Sequence, residues 1–125
     1  MIRRDIVEDR IVVLVVEDED NSQESYKIGL ERHGIEVLQA FTIDDAWAHF
    51  SARQDKINII VMDACMPYEL DTVPLLRRIR DKGYAGPIVA NSSAYNQELS
   101  MAGCSHESKK WQTVKTVLGI LKISG

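Results

Sequence analysis

Carboxylates stand directly after two apolar runs of this sequence. Glu17 and Asp18 follow residues 11–16, and Asp63 follows residues 57–62. If both runs are parallel strands, their carboxyl ends share one edge of the sheet, where α/β proteins bind ligands. Carboxylates brought together there repel one another unless a cation neutralises them, and an oxygen-rich set favours Mg²⁺, or Mn²⁺, over zinc. The alternative is that these acidic residues only cap the turns that follow the strands.

A hydroxyl group and a lysine pair could extend this site to phosphoryl transfer. Ser92 follows the apolar run 87–90, and Lys109 and Lys110 follow a polar stretch in the fifth strand position. Phosphoryl transfer depends on positioning and on neutralising the phosphoryl oxygens. A metal ion, an ammonium group and a hydroxyl can each hold one oxygen, while Asp63 acts as the nucleophile and becomes an aspartyl phosphate. Singly, each residue is more simply a loop residue, so the interpretation depends on the combination.

The order of apolar runs and amphipathic segments explains why these residues would meet. Alternating strands and helices predict a parallel sheet with helices on both faces, and five strands of this size favour the flavodoxin-like (βα)5 fold with order 2-1-3-4-5. Strands are predicted over 11–16, 35–40, 57–62 and 87–90, with a weak fifth strand within 103–110. Residues 1–10 are predicted to be a charged lead-in, and residues 11–124 a single domain.

Two further signals place the helix starts. Asn21 with Glu24 resembles a capping pair for the first helix, which is predicted to run to about His33. Thr42 with Asp45 resembles a second capping box. Glu19 and Asp20 are interpreted as solvated residues of an acidic helix start.

Composition narrows the classes of function. Hydrophobic residues make up 45% of the chain and charged residues 27%, which is typical of soluble globular proteins. A net charge of −4 argues against direct binding of nucleic acid, and the apolar runs are too short to cross a membrane. The two cysteines lack metal-ligand spacing, so reduced thiols and a cytoplasmic location are expected.

Four segments resemble the response-regulator receiver domains of two-component signalling, and the resemblance covers about residues 11–123. LVVEDED and IVMDACMP are similar to the acidic and phosphoacceptor strands of that family. PIVANSS resembles its fourth strand, with Ser92 at the hydroxyl position and Ser93 at the small position. AGCSHESKK resembles its fifth-strand region, with Lys110 (or Lys109) at the lysine position.

The resemblance implies a stand-alone phosphoacceptor domain. It implies Mg²⁺ bound by Glu17, Asp18, Asp63 and the backbone carbonyl of Cys65. It implies phosphotransfer to Asp63 from a sensor histidine kinase or a histidine phosphotransfer protein, with no enzyme activity beyond self-phosphorylation and dephosphorylation. It also implies that Ser92 moves towards the phosphoryl group and that a partner protein reads the change.

The sequence departs from the family pattern in several places. The acidic pair is Glu-Asp rather than Asp-Asp, the loop 68–72 is one residue longer and lacks the family's glycine, and the fourth helix is about one turn shorter. The aromatic switch position falls on Glu107, or on His106 if Lys109 is the functional lysine, and no proline follows the lysine. The unusual fifth strand and the shortened fourth helix favour a second hypothesis, a receiver-like interaction module with lost or altered switching.

Other α/β enzymes fit the sequence less well. A phosphohydrolase with an Asp nucleophile often has a second Asp two residues later, where this chain has Cys65. A flavin or nucleotide binder would need a glycine-rich or hydroxyl-rich loop after the first strand, and this chain has acidic residues there.

Overall fold

Strands and helices alternate along the chain in the computed structural model, which describes residues 10–123. The predicted lead-in therefore lies outside the described residues except for Arg10. No helix within this range has the length and apolar content needed to span a bilayer. The strands are Val12–Val16 (β1), Glu36–Ala40 (β2), Ile59–Met62 (β3), Ile88–Ala90 (β4) and His106–Glu107 (β5). The helices are Asp20–Glu31 (α1), Ile43–Arg53 (α2), Val73–Asp81 (α3), Asn96–Ala102 (α4) and Thr113–Leu121 (α5), with short 3-10 turns at Gln54–Lys56 and Lys110–Gln112.

The strands form one parallel sheet in the order β2-β1-β3-β4-β5, which confirms the predicted flavodoxin-like fold. Every residue of β1 and of β3 is buried, because helices cover both faces of the sheet. Leu14 packs in the cluster that contains Phe50 of α2, whereas Val13 packs in the cluster that contains Leu30 of α1. The two central strands are therefore fixed from both sides, and so are the residues that follow them.

The last strand is as weak as the sequence predicts. β5 has only two residues, His106 and Glu107, both exposed, and they pair with Val89 and Ala90 of β4. The Ser108 N–H adds one more ladder bond, 2.9 Å to the Ala90 carbonyl. α4 is short as well, with seven residues. The sheet therefore contributes few hydrogen bonds to the chain that follows β5.

The start of α1 differs from the prediction. The N-cap is Glu19, whose carboxylate accepts the N–H groups of Asn21 at 3.2 Å and Ser22 at 2.8 Å, so the Asn21 capping pair is wrong. The Glu side chain is long enough to turn back over the first helical turn and satisfy its free donors. Thr42 caps α2 as predicted, and its hydroxyl accepts the Asp45 N–H at 3.0 Å.

Candidate functional site

The three predicted carboxylates come together at the carboxyl edge of the sheet. Glu17, Asp18 and Asp63 each offer an oxygen, and these oxygens lie within 4.8 Å of one another. Direct pairing of β1 with β3 brings this about, since Val16 is in register with Met62 and the Asp63 N–H donates to the Val16 carbonyl at 3.0 Å. Glu17 is 1% exposed and Asp63 8% exposed, whereas Asp18 is exposed. The cluster is thus buried on one side and open on the other.

Lys110 faces these carboxylates. Its Nζ lies 2.8 Å from Glu17 Oε1 and 3.4 Å from Asp63 Oδ1. Lys109 is exposed, and its ammonium lies 5.4 Å from the centroid of the Trp111 ring. Of the two lysines that the sequence left open, the structure brings Lys110 to the acidic cluster.

The charges of the site are unbalanced. Burial raises the pKa of the Asp63 carboxyl, and the nearby Lys110 charge opposes that shift. Burial also raises the pKa of Glu17, with the Lys110 hydrogen bond opposing and the Asp63 charge adding to the rise. Burial alone would lower the pKa of Lys110, but its hydrogen bond to Glu17 and the Asp63 charge outweigh burial and raise it. One ammonium among three carboxylates leaves the site short of positive charge, which suits a hard divalent cation.

Thr72 fixes the backbone that carries Asp63. The sequence indicates Thr72 only as a helix start, but its side chain is fully buried and makes no capping bond. Its hydroxyl lies 2.7 Å from the Asp63 carbonyl and 3.0 Å from the Ala64 carbonyl. The Ala64 N–H in turn donates to Asp63 Oδ1 at 2.8 Å, so the carboxylate orientation and the loop backbone are set together.

We expect Thr72→Val to lower the free energy of unfolding by about 2 kcal/mol, because it leaves buried carbonyls without their hydroxyl donor. Urea unfolding of the metal-free protein measures this loss. Thr72→Ser is the matched control, since it keeps the hydroxyl, and it should lose much less. Equal stability of Thr72→Val and the wild type would show that the hydroxyl does not hold this loop.

The loop after Asp63 is closed by Asp71. Its carboxylate accepts the N–H groups of Met66 at 2.5 Å and Tyr68 at 3.1 Å. Leu70 adopts a φ of 55°, the left-handed region that favours glycine, in the loop where the family's glycine is missing. Cys65, whose carbonyl the resemblance assigns to the metal, is half-buried in the same loop.

Ser92 lies at the carboxyl end of β4, where the sequence places it, and it organises the next turn. Its side chain oxygen accepts the N–H groups of Ala94 at 3.2 Å and Tyr95 at 3.0 Å, and its own N–H donates to Asn96 Oδ1 at 2.7 Å. Ser93 is exposed. The Tyr95 hydroxyl donates to the Glu69 carboxylate and so joins this turn to the loop after Asp63.

Both residues considered for the switch position, His106 and Glu107, are exposed. The Glu107 carboxylate accepts the Ser100 hydroxyl at 2.8 Å, and His106 Nδ1 lies 2.8 Å from the Ser105 oxygen. Counting back from Lys110 selects Glu107 rather than His106. The position therefore holds an acidic and exposed side chain instead of an aromatic one.

A buried amide that the sequence pattern did not single out lies beside the site. Gln23 is completely buried in α1, and its amide nitrogen lies within hydrogen-bond distance of the carbonyl oxygens of Val15, Glu17 and Ala40, at 2.9, 2.9 and 3.0 Å. It ties the ends of β1 and β2 together next to Glu17. One feature of the sequence does indicate its burial. Gln23 is at helical spacing from Tyr26 and Leu30, which places this polar residue on the inner face of α1.

Comparison with known proteins identifies the class. The family model for the response regulator receiver domain matches residues 13–110, and the chain belongs to that family. It is a receiver domain of the kind found in two-component response regulators. A search of curated protein sequences found no match.

Solved structures agree with this assignment. The receiver domain of the Francisella response regulator 1452 is 25% identical with a TM-score of 0.72, over 90% of this chain and 94% of that one. A CheY-like receiver domain protein from Methanospirillum hungatei is 23% identical with a TM-score of 0.76, over 90% of this chain and 91% of that one. CheY in a CheX-CheY-BeF3-Mg complex from Borrelia burgdorferi is 14% identical with a TM-score of 0.74, over 89% of each chain.

Proposed function

We propose that this receiver domain accepts a phosphoryl group on Asp63 from a sensor histidine kinase or a histidine phosphotransfer protein, in a reaction that depends on Mg²⁺. The observation that carries the proposal is the Lys110 ammonium, which lies 3.4 Å from Asp63 Oδ1 beside two further carboxylates. A nucleophile, a cation for the phosphoryl oxygens and a set of metal ligands are thus within reach of one reacting group. A downstream protein, rather than nucleic acid, reads the result, in keeping with the net charge of −4.

The residues present fit a hard divalent cation. Glu17, Asp18, Asp63 and the Cys65 carbonyl would hold Mg²⁺, and Mn²⁺ could replace it. When bound, the ion supplies positive charge that neutralises the phosphoryl oxygens. The neighbour from Borrelia burgdorferi was crystallised with BeF3 and Mg²⁺, which supports the same pairing of ion and phosphoryl group here.

The chain's own residues carry the transfer. An Asp63 carboxylate oxygen forms a bond to phosphorus as the bond between phosphorus and the donor's imidazole nitrogen breaks. The imidazole leaves with that electron pair and is protonated from solvent. Lys110 pairs with a phosphoryl oxygen, and the Ser92 hydroxyl donates to another after turning from its own loop. The chain's activity is limited to gaining and losing this phosphoryl group, and we place it in the cytoplasm, where its two free cysteines would stay reduced.

Acetyl phosphate tests the proposal without a cognate kinase. The wild-type chain, incubated with Mg²⁺ and acetyl phosphate, should gain the mass of one phosphoryl group. The modification should be stable in acid, labile in base, located at Asp63 by peptide mapping, and absent when EDTA removes the metal. A chain that gains no mass, or gains it at another residue, would contradict the proposal.

A second candidate is a receiver-like interaction module whose binding does not respond to phosphorylation. The exposed Glu107 at the switch position and the two-residue β5 favour it. Once a partner is identified, its affinity should then be the same for the wild type, the phosphorylated chain and Asp63→Asn. A large change of affinity among these forms would exclude the module.

A further inference from the structure

Three buried polar side chains lie beneath the lysine of the site. Asn91 at the end of β4 is completely buried, Thr113 at the start of α5 is 1% exposed, and Tyr26 of α1 is 5% exposed. The Thr113 hydroxyl lies 2.8 Å from Asn91 Oδ1, and Asn91 Nδ2 donates to the Tyr26 oxygen at 3.2 Å. Three separate elements are thereby joined by hydrogen bonds between buried side chains.

This network ends on the backbone of Lys110. The Lys110 carbonyl lies 3.0 Å from the Thr113 hydroxyl and 3.4 Å from the Tyr26 hydroxyl. One assignment of hydrogens links the three side chains in a chain of hydrogen bonds that ends on the Lys110 carbonyl. Thr113 donates to Asn91, Asn91 donates to Tyr26, and Tyr26 donates to the Lys110 carbonyl. A buried network that is fully satisfied is rigid, so it can hold the backbone it binds.

Lys110 needs such a support because the sheet gives it little. β5 ends at Glu107, three positions before the lysine, and the residue after the lysine is Trp111 rather than a proline. A long, flexible lysine side chain reaches a fixed target reliably only if its own backbone is fixed. The network holds the backbone of Lys110, and the ammonium at the far end of its side chain lies 2.8 Å from Glu17 Oε1.

We propose that Tyr26, Asn91 and Thr113 are positioning residues that hold the backbone of Lys110 so that its ammonium reaches Glu17 and Asp63. The consequence for phosphorylation rests on the proposed function, whereas the placement of the lysine does not. Asn91 also directly precedes Ser92, so the same network anchors the backbone next to the hydroxyl of the site.

The first test measures the order of the lysine side chain by NMR relaxation of its Cε methylene group in the unphosphorylated protein. Lys109, which is exposed, is the internal reference. In the wild type, Lys110 should be more ordered than Lys109. In Thr113→Val, its order should fall to the value of Lys109, while Thr113→Ser keeps the wild-type value. Lys110 order unchanged in Thr113→Val would overturn the proposal.

Two further variants distinguish loss of the network from a general loss of structure. Thr116 is on the same helix as Thr113 but outside the network, and its hydroxyl lies 2.9 Å from the Ser108 hydroxyl. Thr116→Val should therefore leave the order of Lys110 unchanged. Tyr26→Phe removes one hydroxyl of the network but keeps the ring, so it should lower the order of Lys110 even if Thr113→Val folds poorly. Equal effects of Thr116→Val and Tyr26→Phe would show a structural role only.

The second test is a double-mutant cycle on the rate of phosphorylation by acetyl phosphate. Thr113→Val should slow the wild-type reaction about fivefold, since a displaced catalytic group loses its geometry. In the Lys110→Met background the same change should have no further effect, because its target is absent. Equal slowing in both backgrounds would overturn the proposal. If the wild type takes up no phosphoryl group but Lys110 still loses order in Thr113→Val, the proposed function fails and the positioning role stands.

Discussion

Asp63→Asn should abolish phosphorylation of this chain by acetyl phosphate. The asparagine amide keeps the size of the side chain and an oxygen that can accept the Ala64 N–H, which donates at 2.8 Å in the wild type. It lacks the negative charge that makes the carboxylate a nucleophile and a metal ligand. We therefore expect no detectable phosphoryl mass under conditions in which the wild type is modified. Intact-protein mass spectrometry measures the outcome.

The matched control is Asp81→Asn. Asp81 is an exposed carboxylate at the last residue of α3, and helices of this fold run back from the carboxyl edge of the sheet, so it lies away from the site. Asp81→Asn should be phosphorylated at the wild-type rate. If Asp63→Asn gains as much phosphoryl mass as the control, the acceptor is a residue other than Asp63.

The fold of Asp63→Asn can be checked by the pH dependence of its stability. Burial raises the pKa of Asp63, so the folded wild type, without metal, loses stability as pH rises through that raised value. The asparagine variant lacks this loss. It should therefore be as stable as the wild type in acid and more stable than the wild type at neutral pH in EDTA.

Lys110→Met should have the largest effect on stability at this site, and Mg²⁺ should reverse much of it. The ammonium lies 2.8 Å from Glu17, whose side chain is 2% exposed, and 3.4 Å from Asp63. Removing one partner of a buried ion pair leaves the other charge uncompensated, and we expect a loss of about 3 kcal/mol in the free energy of unfolding in EDTA. A divalent cation would neutralise the same carboxylates, so added Mg²⁺ should stabilise this variant more than the wild type.

Lys109→Met is the control for this change. Lys109 is exposed and stands over the Trp111 ring, so its replacement should change stability by less than about 0.5 kcal/mol, with or without metal. Urea unfolding of both variants in EDTA and in Mg²⁺ gives the comparison. If the two variants are equally stable in EDTA, the ion pairs of Lys110 do not stabilise the fold. If Mg²⁺ stabilises Lys110→Met no more than the wild type, the acidic cluster does not bind the ion as proposed.

The sequence by itself determined the sheet and the acidic edge. The predicted strand 11–16 is apolar at every position, and the predicted strand 57–62 is apolar at every position except Asn58. Such runs favour strands covered on both faces, and a carboxylate directly follows each of them. Once these runs are neighbouring parallel strands, their carboxyl ends share one edge of the sheet, so Glu17, Asp18 and Asp63 are expected to lie close together, as they do. The register of Val16 with Met62 is a finding of the structure. The weakness of β5 was also visible, because its residues are polar.

Tertiary structure alone decided which lysine enters the site. Lys109 and Lys110 are adjacent and alike in type, and a two-residue strand gives no apolar pattern that fixes which of them points inward. The choice depends on the carbonyl of Lys110, which the buried side chains of Tyr26, Asn91 and Thr113 hold from below.

The polar side chains that support the site could not be identified from the sequence for a related reason. Gln23 and Thr72 look like ordinary helix residues in the sequence, because nothing in a local pattern states which distant carbonyl a side chain will meet. Their partners, the carbonyls at the ends of β1, β2 and β3, are set by the packing of helices on the sheet. Hydrophobic periodicity fixes where elements lie, whereas the hydrogen bonds that hold a site depend on atoms that only the folded chain brings together.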